Sequence, residues 1–195
     1  MKKTLKVQAY VLFDFDQTIY GGNSAVDFFI SCVRKKPVLA LYVLVQSYHL
    51  ILYILRLKTK DEFKGGYFGF IRYIHDKKAD YVDYFWSLNE KKIRQWYLDR
   101  PHHVNDVVVS ASPFYYLEPL LERYSISLLI ATQINDETGK IIGTNCYGDE
   151  KVRRIKELMP NARFSEAYSD SLSDSPMLSL AESAYIVRGD VLSRC

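Results

Sequence analysis

The part of the chain that follows residue 105 alternates apolar, strand-like runs with amphipathic helical segments. The predicted strands are DVVVSAS (106–112), SISLLIAT (125–132), FSEAYSD (164–170) and AYIVRGD (184–190). The predicted helices are PFYYLEPLLERY (113–124), DEKVRRIKELMP (149–160) and LSDSPMLSLAESA (172–184), and INDETGKIIG (134–143) predicts a hairpin. Strands that alternate with helices indicate an α/β fold, here a Rossmann-like parallel sheet flanked by helices on both faces.

The N-terminal part of the chain divides into one strand and a long helical region. Leu5, Val7, Ala9 and the run VLF (11–13) predict a strand. Residues 20–100 carry few strand signals, and the stretch 78–100 repeats apolar residues near the helical period until Pro101. We therefore predict a core formed by residues 1–19 and 101–195, with a helical insertion, residues 20–100, after the first strand.

Two carboxylates, Asp14 and Asp16, stand one residue apart where this first strand ends. Alternate side chains of a strand share a face, so the two carboxylates would point the same way. Like charges this close repel each other unless a cation or a proton lies between them. Ligands of parallel sheets bind at the carboxyl ends of the strands, so the pair predicts a metal ion or a shared proton there.

The same edge of the sheet should collect three more polar residues. Ser110 and Asp170 stand at the ends of two other predicted strands, and Lys151 begins a predicted helix. Mg²⁺ takes oxygen ligands and usually keeps waters and a substrate phosphate oxygen, so Asp14, Asp16 and Asp170 are candidate ligands. Lys151 and Ser110 could hold the oxygens of a phosphoryl group.

A carboxylate in such a site can also be the nucleophile. Asp14 suits this role, since an aspartyl-phosphate intermediate divides one difficult displacement into two easier ones. Asp16 suits the general acid and base. Two further residues have simpler alternatives. Asp174 could serve merely as a helix cap, and Ser112 could serve merely to turn the chain before Pro113.

Four motifs carry these residues, namely DFDQT (14–18), VVVSAS (107–112), GDEKV (148–152) and SDSLSD (169–174). In this order they resemble the haloacid dehalogenase superfamily of phosphohydrolases, in subfamily IB near the branch that contains phosphoserine phosphatase. The resemblance implies a Mg²⁺-dependent phosphomonoester hydrolase, and it implies that residues 20–100 form the small helical cap (C1 type) over the substrate.

The resemblance also assigns roles residue by residue. It implies that Asp14 is phosphorylated, and that Asp16 places its backbone carbonyl on Mg²⁺ besides acting as acid and base. The implied metal residues are Asp14, Asp16, Asp170 and Asp174, and the implied phosphate-binding residues are Ser110, Lys151 and Thr18, of which Thr18 supports the loop.

Composition limits the partners and the compartment. A net charge of +3 without a basic stripe argues against a nucleic-acid partner. The 3 cysteines are odd in number and lack metal-ligand spacing, which favours a reducing compartment. The N-terminal apolar stretch runs into Asp14 without a small-residue cleavage site, so no cleavable signal is expected. We predict a cytoplasmic location, with the inner face of the membrane as an alternative.

The most informative stretch for the substrate is RKKPVLALYVLVQSYHLILYILRLKTK (34–60). Between Val38 and Leu55 only Gln46, Ser47 and His49 are not apolar, and basic residues stand on both sides. Two interpretations stay open. The segment forms buried cap helices, or it gives peripheral membrane contact through residues 38–57 with its basic flanks at the headgroups.

This run, together with CYGDEKV (146–152) and YSDSLSDSPML (168–178), is similar to the phosphatidylglycerophosphatases of the superfamily. That similarity implies a lipid phosphate as substrate. Phosphoserine is disfavoured, because Asn23 stands where phosphoserine phosphatases have a glutamate, and Ala111-Ser112 stands in place of their two glycines. The alternatives are a phosphatase of a small soluble metabolite, a phosphotransferase and a non-catalytic binding protein.

Overall fold

A computed structural model describes residues 9–100 and 104–195, and these residues form a six-stranded sheet in the order β3-β2-β1-β4-β5-β6. The strands are β1 (Tyr10–Phe13), β2 (Asp106–Pro113), β3 (Leu128–Thr132), β4 (Phe164–Ser169), β5 (Ala181–Arg188) and β6 (Val191–Arg194). Strands β1 to β5 are parallel, and β6 pairs antiparallel with β5. The predicted Rossmann-like sheet is confirmed, while the predicted strand positions Leu5 and Val7 lie outside the described residues.

Helices connect and cover these strands. They are α1 (Ser24–Lys35), α2 (Tyr42–Ile54), α3 (Lys60–Phe68), α4 (Lys78–Asn89), α5 (Gln95–Leu98), α6 (Phe114–Leu117), α7 (Pro119–Arg123), α8 (Asp149–Leu158) and α9 (Ser175–Leu178). Short 3₁₀ turns link several of them, among them Pro37–Leu41 directly before α2. The named elements between β1 and β2 are all helical, as the sequence predicts, and the division into a core and a cap at residues 20–100 stays a prediction.

The core occupies both faces of the sheet. On one face Leu12 packs in a cluster with Val107 and with Ile155 of α8. On the other face its neighbour Phe13 packs with Val108 and with residues of the helical insertion. Adjacent residues of β1 and β2 point to opposite faces of the sheet, and both faces are covered by apolar groups. Successive residues of these strands are therefore largely apolar, which gives continuous hydrophobic runs in the sequence.

Several predicted helices are wrong in extent. The stretch 78–100 is not one helix, since α4 ends at Asn89 and only Gln95–Leu98 is helical beyond the 3₁₀ turn that follows. The predicted helix 113–124 divides before Pro119, which lacks a backbone N–H and therefore suits the first position of α7. The predicted helix 172–184 shortens to α9 because Ala181 begins β5, and β6 was not predicted.

Candidate active site

The carboxyl ends of β1, β2 and β4 and the first turn of α8 bring the predicted polar residues to one edge of the sheet. Asp14 follows β1 directly, and its backbone N–H donates to the carbonyl of Tyr168 in β4, 2.9 Å away. Ser110 lies near the end of β2, and Asp170 follows β4 directly. These positions agree with the edge that the sequence predicts for a ligand site.

Lys151 is the centre of the site. Its Nζ lies 2.6 Å from Oδ1 of Asp14 and 2.8 Å from Oδ2 of Asp174, and the lysine is buried. Ser169 Oγ also donates to Oδ2 of Asp174, at 2.8 Å. Asp174 precedes α9, but its side chain makes no helix-capping hydrogen bond. The structure therefore gives this carboxylate a role in fixing Lys151 that the simpler capping alternative does not include.

Burial and charge perturb the titrating groups of this cluster. Burial raises the pKa of Asp14 to about 7, and the charge of Lys151 offsets only part of the increase. Burial would lower the pKa of Lys151, but the charges of Asp14 and Asp174 outweigh it and leave this pKa above its ordinary value. Burial and the charge of Asp174 raise the pKa of Asp170. The cluster thus carries more carboxylate charge than Lys151 neutralises, which favours a bound cation.

The chemistry of the donors fits Mg²⁺, but not as a complete protein cage. Among the described residues, no group of three carboxylates, imidazoles or thiols could hold a metal ion. Mg²⁺ usually binds one or two carboxylates and completes its shell with waters and substrate phosphate oxygens. The residues therefore fit an open site, in which Asp14, Asp170 and the backbone carbonyl of Asp16 would hold the ion. Direct ligation by Asp174 stays a prediction.

Asp16 is held in one orientation by two hydrogen bonds. The backbone N–H of Ser24, at the start of α1, donates to Oδ1 at 2.6 Å, and Ser112 Oγ donates to Oδ2 at 2.5 Å. Ser24 Oγ also lies 3.1 Å from Ser112 Oγ and 3.0 Å from the hydroxyl of Tyr116. The sequence ranked Ser112 below Ser110 and did not assign Ser24 or Tyr116 to the site. The one available signal was the i, i+2 spacing of Ser110 and Ser112, which is typical of residues on the same face of a strand.

Two predicted phosphate-binding residues are enclosed. Ser110 is buried, and its Oγ accepts a hydrogen bond from the backbone N–H of Ser112 at 3.0 Å. Thr18 is fully buried, and its Oγ1 has no hydrogen-bond partner within the described part of the chain. This position suits support of the loop after β1. Contact of either hydroxyl with phosphate stays a prediction.

A cleft of about 390 Å³ opens beside Asp16 and Ser112. Its opposite wall belongs to α3, and the lining residues of that helix are Lys60, Phe63, Lys64, Tyr67 and Phe68. Asn23 and Tyr147 also line it. Asn23 caps α1, since its side chain accepts from the backbone N–H of Val26 at 3.1 Å. The two lysines of α3 are candidate substrate contacts that sequence reasoning missed, because the motifs lie in the sheet and α3 lies in the insertion.

A parallel sheet with a carboxylate pair, a buried lysine and a second acidic segment at the strand ends is the arrangement expected of the phosphohydrolases that the four motifs resemble. The profile of the haloacid dehalogenase-like hydrolases matches residues 11–179, and the chain belongs to this family. Protein CicA of Caulobacter vibrioides is 35% identical over 82 residues, which are 39% of this chain and 37% of CicA. A probable phosphatase of Mycobacterium tuberculosis is 35% identical over 91 residues, covering 43% of this chain and 32% of that protein.

Solved structures share the fold over most of the chain. A Bordetella pertussis protein of unknown function has a TM-score of 0.76 at 20% identity, covering 91% of this chain and 89% of its own. A probable phosphoserine phosphatase of Vibrio cholerae has a TM-score of 0.57 at 8% identity, covering 91% of this chain and 55% of its own. These likenesses concern the fold alone. The chain spans about a third of the length of the curated relatives it matches.

The raised pKa of Asp14 predicts how the stability of the metal-free protein depends on pH. Between pH 4 and about 7 the folded state holds a proton on Asp14 that the unfolded state has lost, so stability falls as the pH rises. Asp14→Asn removes this contribution. We expect the melting temperature of the Asn variant to exceed that of the parent, and the difference to grow from pH 4.5 to 7.5. The corresponding difference in the free energy of unfolding should reach a few kcal/mol, on the order of what a shift of this size contributes.

Differential scanning fluorimetry in EDTA measures this difference. Mg²⁺ should raise the melting temperature of the parent more at pH 7.5 than at pH 5, because protons compete with the ion for the same oxygens. Asp83→Asn, which alters an exposed carboxylate of α4, serves as the control for removing one negative charge. If the parent and Asp14→Asn follow the same pH dependence, Asp14 does not titrate as described.

Proposed function

We propose that the chain is a Mg²⁺-dependent phosphomonoester hydrolase that works through an aspartyl phosphate on Asp14. The contact of Asp14 with the buried ammonium of Lys151 supports this role most directly. Lys151 fixes the carboxylate that attacks and remains charged, so it can also bind the phosphoryl oxygens. Mg²⁺, when bound, supplies positive charge that neutralises the phosphate and aligns it for attack.

The proposed reaction has two displacements at phosphorus. In the first, an oxygen of Asp14 forms a bond to phosphorus while the ester oxygen leaves and takes a proton from Asp16. In the second, Asp16 accepts a proton from water, and the water oxygen forms its bond to phosphorus while the bond to Asp14 breaks. Inorganic phosphate is released, and both aspartates return to their starting states. The hydrogen bonds from Ser24 and Ser112 hold Asp16 in place for both proton transfers.

We further propose that the substrate is a lipid phosphate, such as phosphatidylglycerophosphate. This part rests on α2, in which Tyr42, Gln46 and His49 face the protein, while Ser47 and most of the apolar residues face outwards. The hydroxyl of Tyr42 donates to the carbonyl of Gly66 at 2.9 Å, and Nε2 of Gln46 donates to the carbonyl of Tyr67 at 3.1 Å. His49, one turn further on the same face, lies 3.0 Å from Lys58 Nζ. A helix with this pattern is the reverse of one that packs on a core.

The outward face of α2 is large and apolar. Leu44 is 73% exposed, and the other exposed apolar residues of the segment are Val38, Leu41, Val43, Val45, Tyr48, Leu50, Ile51, Tyr53, Ile54, Leu55 and Leu57. By length and composition, Pro37–Ile54 is the one described stretch that could cross a membrane, with a mean hydropathy of 1.6 and 17% of its residues buried. A patch of this kind on a soluble domain marks an interaction surface, and a helix lying in the membrane interface fits it.

The basic flanks of the segment favour an anionic surface only in part. Arg34 and Arg56 are exposed and free to meet headgroups. Lys36 Nζ instead donates to the carbonyl of Tyr73 at 2.9 Å, and Lys60 lies over the ring of Tyr147. The apolar face therefore supplies most of the proposed membrane contact. We place the enzyme at the cytoplasmic face of the membrane, as the composition and the similarity to phosphatidylglycerophosphatase C suggest.

A phosphatase of a small soluble metabolite is the second candidate, and substrate hydrolysis distinguishes the two. The parent is assayed on phosphatidylglycerophosphate in mixed detergent micelles and on its soluble, deacylated form, each with Mg²⁺ and with EDTA. We expect kcat/KM for the lipid to be at least about 100-fold higher, since burial of the acyl chains adds binding free energy that the soluble ester lacks. EDTA should stop both reactions.

Equal efficiency on both esters would favour the soluble metabolite and contradict the lipid proposal. Hydrolysis that persists in EDTA would contradict the metal requirement.

A further inference from the structure

Lys64 of α3 reaches across the cleft to the end of β2. Its Nζ donates to the backbone carbonyl of Ala111 at 2.9 Å and to Oδ1 of Asn145 at 3.0 Å. Ala111 stands between Ser110 and Ser112, and Ser112 contacts Asp16 directly. The ammonium group therefore lies at the residue between Ser110 and Ser112, at the edge of the sheet that carries the candidate active site. The backbone of Lys64 belongs to the helical insertion. An ammonium group carries three N–H donors, so one donor of Lys64 remains for a ligand in the cleft.

The charge of Lys64 has no counterion in contact. Within the described ranges, Lys64 forms no ion pair, and its two acceptors are a backbone carbonyl and an amide. Burial and the charge of Lys60 together lower the pKa of Lys64 to about 8, whereas the charges of Asp16 and Asp61 act in the opposite direction. A buried ammonium without a carboxylate is costly, and a bound anion would offset that cost.

Lys60 adds a second positive charge to the same wall. Its Nζ lies 3.0 Å from the centre of the Tyr147 ring, a cation–π contact across the cleft from α3 to the core. A hydrogen bond from Ser173 lowers the pKa of Tyr147 most, and the charge of Lys60 lowers it as well. Both lysines line the cleft that Asp16 and Ser112 close on the other side. The cleft thus has Asp16 and Ser112 of the candidate active site on one side and two lysines on the other.

We propose that Lys64 and Lys60 bind a second anionic group of the substrate, next to the phosphate that is hydrolysed. The proposal rests on the proposed phosphomonoesterase activity and specifies its substrate class, a phosphomonoester that carries a phosphodiester or a carboxylate a few bonds away. Lys151, with Mg²⁺ when it is bound, would serve the phosphate that is transferred, which leaves the two lysines of α3 to bind the second charge. An ester without a second anion would leave the buried Lys64 charge uncompensated in the complex.

Three soluble esters separate the possible sources of the second charge. Glycerol 3-phosphate has none, 3-phosphoglycerate has a carboxylate, and deacylated phosphatidylglycerophosphate has a phosphodiester. We expect the parent to prefer at least one of the two doubly anionic esters over glycerol 3-phosphate in kcat/KM. In Lys64→Met that preference should fall by about 10- to 100-fold, chiefly through KM, since the contact is made equally in the ground and transition states. Lys60→Met should lower it in the same direction.

Lys58→Met is the matched control, because Lys58 bonds to His49 and does not line this cleft. It should keep the preference of the parent. Equal losses on all three esters in Lys64→Met would contradict the proposal and would mean that Lys64 only joins α3 to the end of β2. A parent without preference would also contradict it. If Lys64→Met does not fold, Lys60→Met decides, since the Lys60 ammonium contacts Tyr147 rather than the end of β2.

The test also separates this proposal from the proposed function. If the parent hydrolyses none of the three esters, the hydrolase proposal fails for these soluble substrates. Binding of the same esters to Asp14→Asn, with and without Lys64→Met, then measures the preference by calorimetry without turnover. A preference for the doubly anionic esters that disappears with Lys64 supports the second-anion site, and its absence contradicts it.

Discussion

Asp14→Asn should reduce hydrolysis of any phosphomonoester by about 10⁴-fold or more, while the fold is retained. An amide oxygen cannot form the acyl phosphate, so the two-step route through Asp14 is lost as a whole. The fold should survive because the Asn side chain still offers Lys151 an oxygen at the position of Oδ1, which accepts at 2.6 Å in the parent. Lys151 also retains its contact with Asp174.

Steady-state hydrolysis and trapping of the intermediate measure this loss together. The parent, quenched in acid after brief exposure to ³²P-labelled substrate, should carry label that hydroxylamine releases, and Asp14→Asn should carry none. Asp16→Asn should slow both steps by about 10² to 10⁴ and should still form some labelled protein. Asp83→Asn is again the control for an exposed carboxylate and should hydrolyse substrate like the parent. Hydrolysis by Asp14→Asn at more than a tenth of the parental rate would exclude Asp14 as the nucleophile.

The sheet was predictable because β1, β2 and β3 are buried on both faces. Runs such as VVV (107–109) and LLIA (128–131) contain few polar residues, and the helices between them give the parallel order. The helix boundaries were less predictable. The period of apolar residues over 78–100 continues across the end of α4 at Asn89, because Ile93 and Tyr97, beyond the 3₁₀ turn, are also buried. β6 has four exposed residues, so it lacks the apolar pattern of a strand.

The residues of the site divide in a similar way. Asp14, Ser110, Lys151 and Asp170 were predictable because each stands at the end of a strand or the start of a helix, where a parallel sheet binds its ligands. Ser24 and Lys64 were not, because their contacts depend on how the helices of the insertion lie against the sheet. Ser24 meets Asp16 only because α1 begins beside the end of β1, and Lys64 meets Ala111 only because α3 folds back over β2. No local pattern carries that information.

The direction in which α2 faces was also undetermined by sequence. An apolar run with three polar residues is compatible with a buried helix or with an exposed one, because its composition does not show which side of the helix faces the protein. The contacts of Tyr42 and Gln46 with α3 turn the polar side inwards and leave the apolar side uncovered in the described chain. This orientation connects α2 to the cleft, because α3 lies between them and carries Lys60 and Lys64.

The second large effect is therefore expected at this surface. Leu44 and Ile51 are 73% and 55% exposed and lie seven residues apart, which places them on the same side of α2. Replacing both by aspartate should lower the partition coefficient onto vesicles that contain anionic lipid by about 10²- to 10⁴-fold. Each side chain loses about 1.5 to 3 kcal/mol of burial, and each 1.4 kcal/mol is tenfold in affinity.

Sedimentation with sucrose-loaded vesicles measures this partition, and salt separates its two components. Raising the salt concentration should weaken only the contribution of Arg34 and Arg56, which is about 1 kcal/mol per residue near an anionic surface. Binding through the apolar face should persist. Hydrolysis of phosphatidylglycerophosphate in vesicles should fall with the partition, whereas hydrolysis of glycerol 3-phosphate should not, because Leu44 and Ile51 do not line the cleft. Leu158→Asp with Val191→Asp, two exposed apolar residues of α8 and β6, is the matched control and should bind like the parent. A parent that stays in solution with vesicles at low salt would contradict the proposal that α2 binds a membrane. The exposed apolar face of α2 would then be a candidate binding surface for a protein partner.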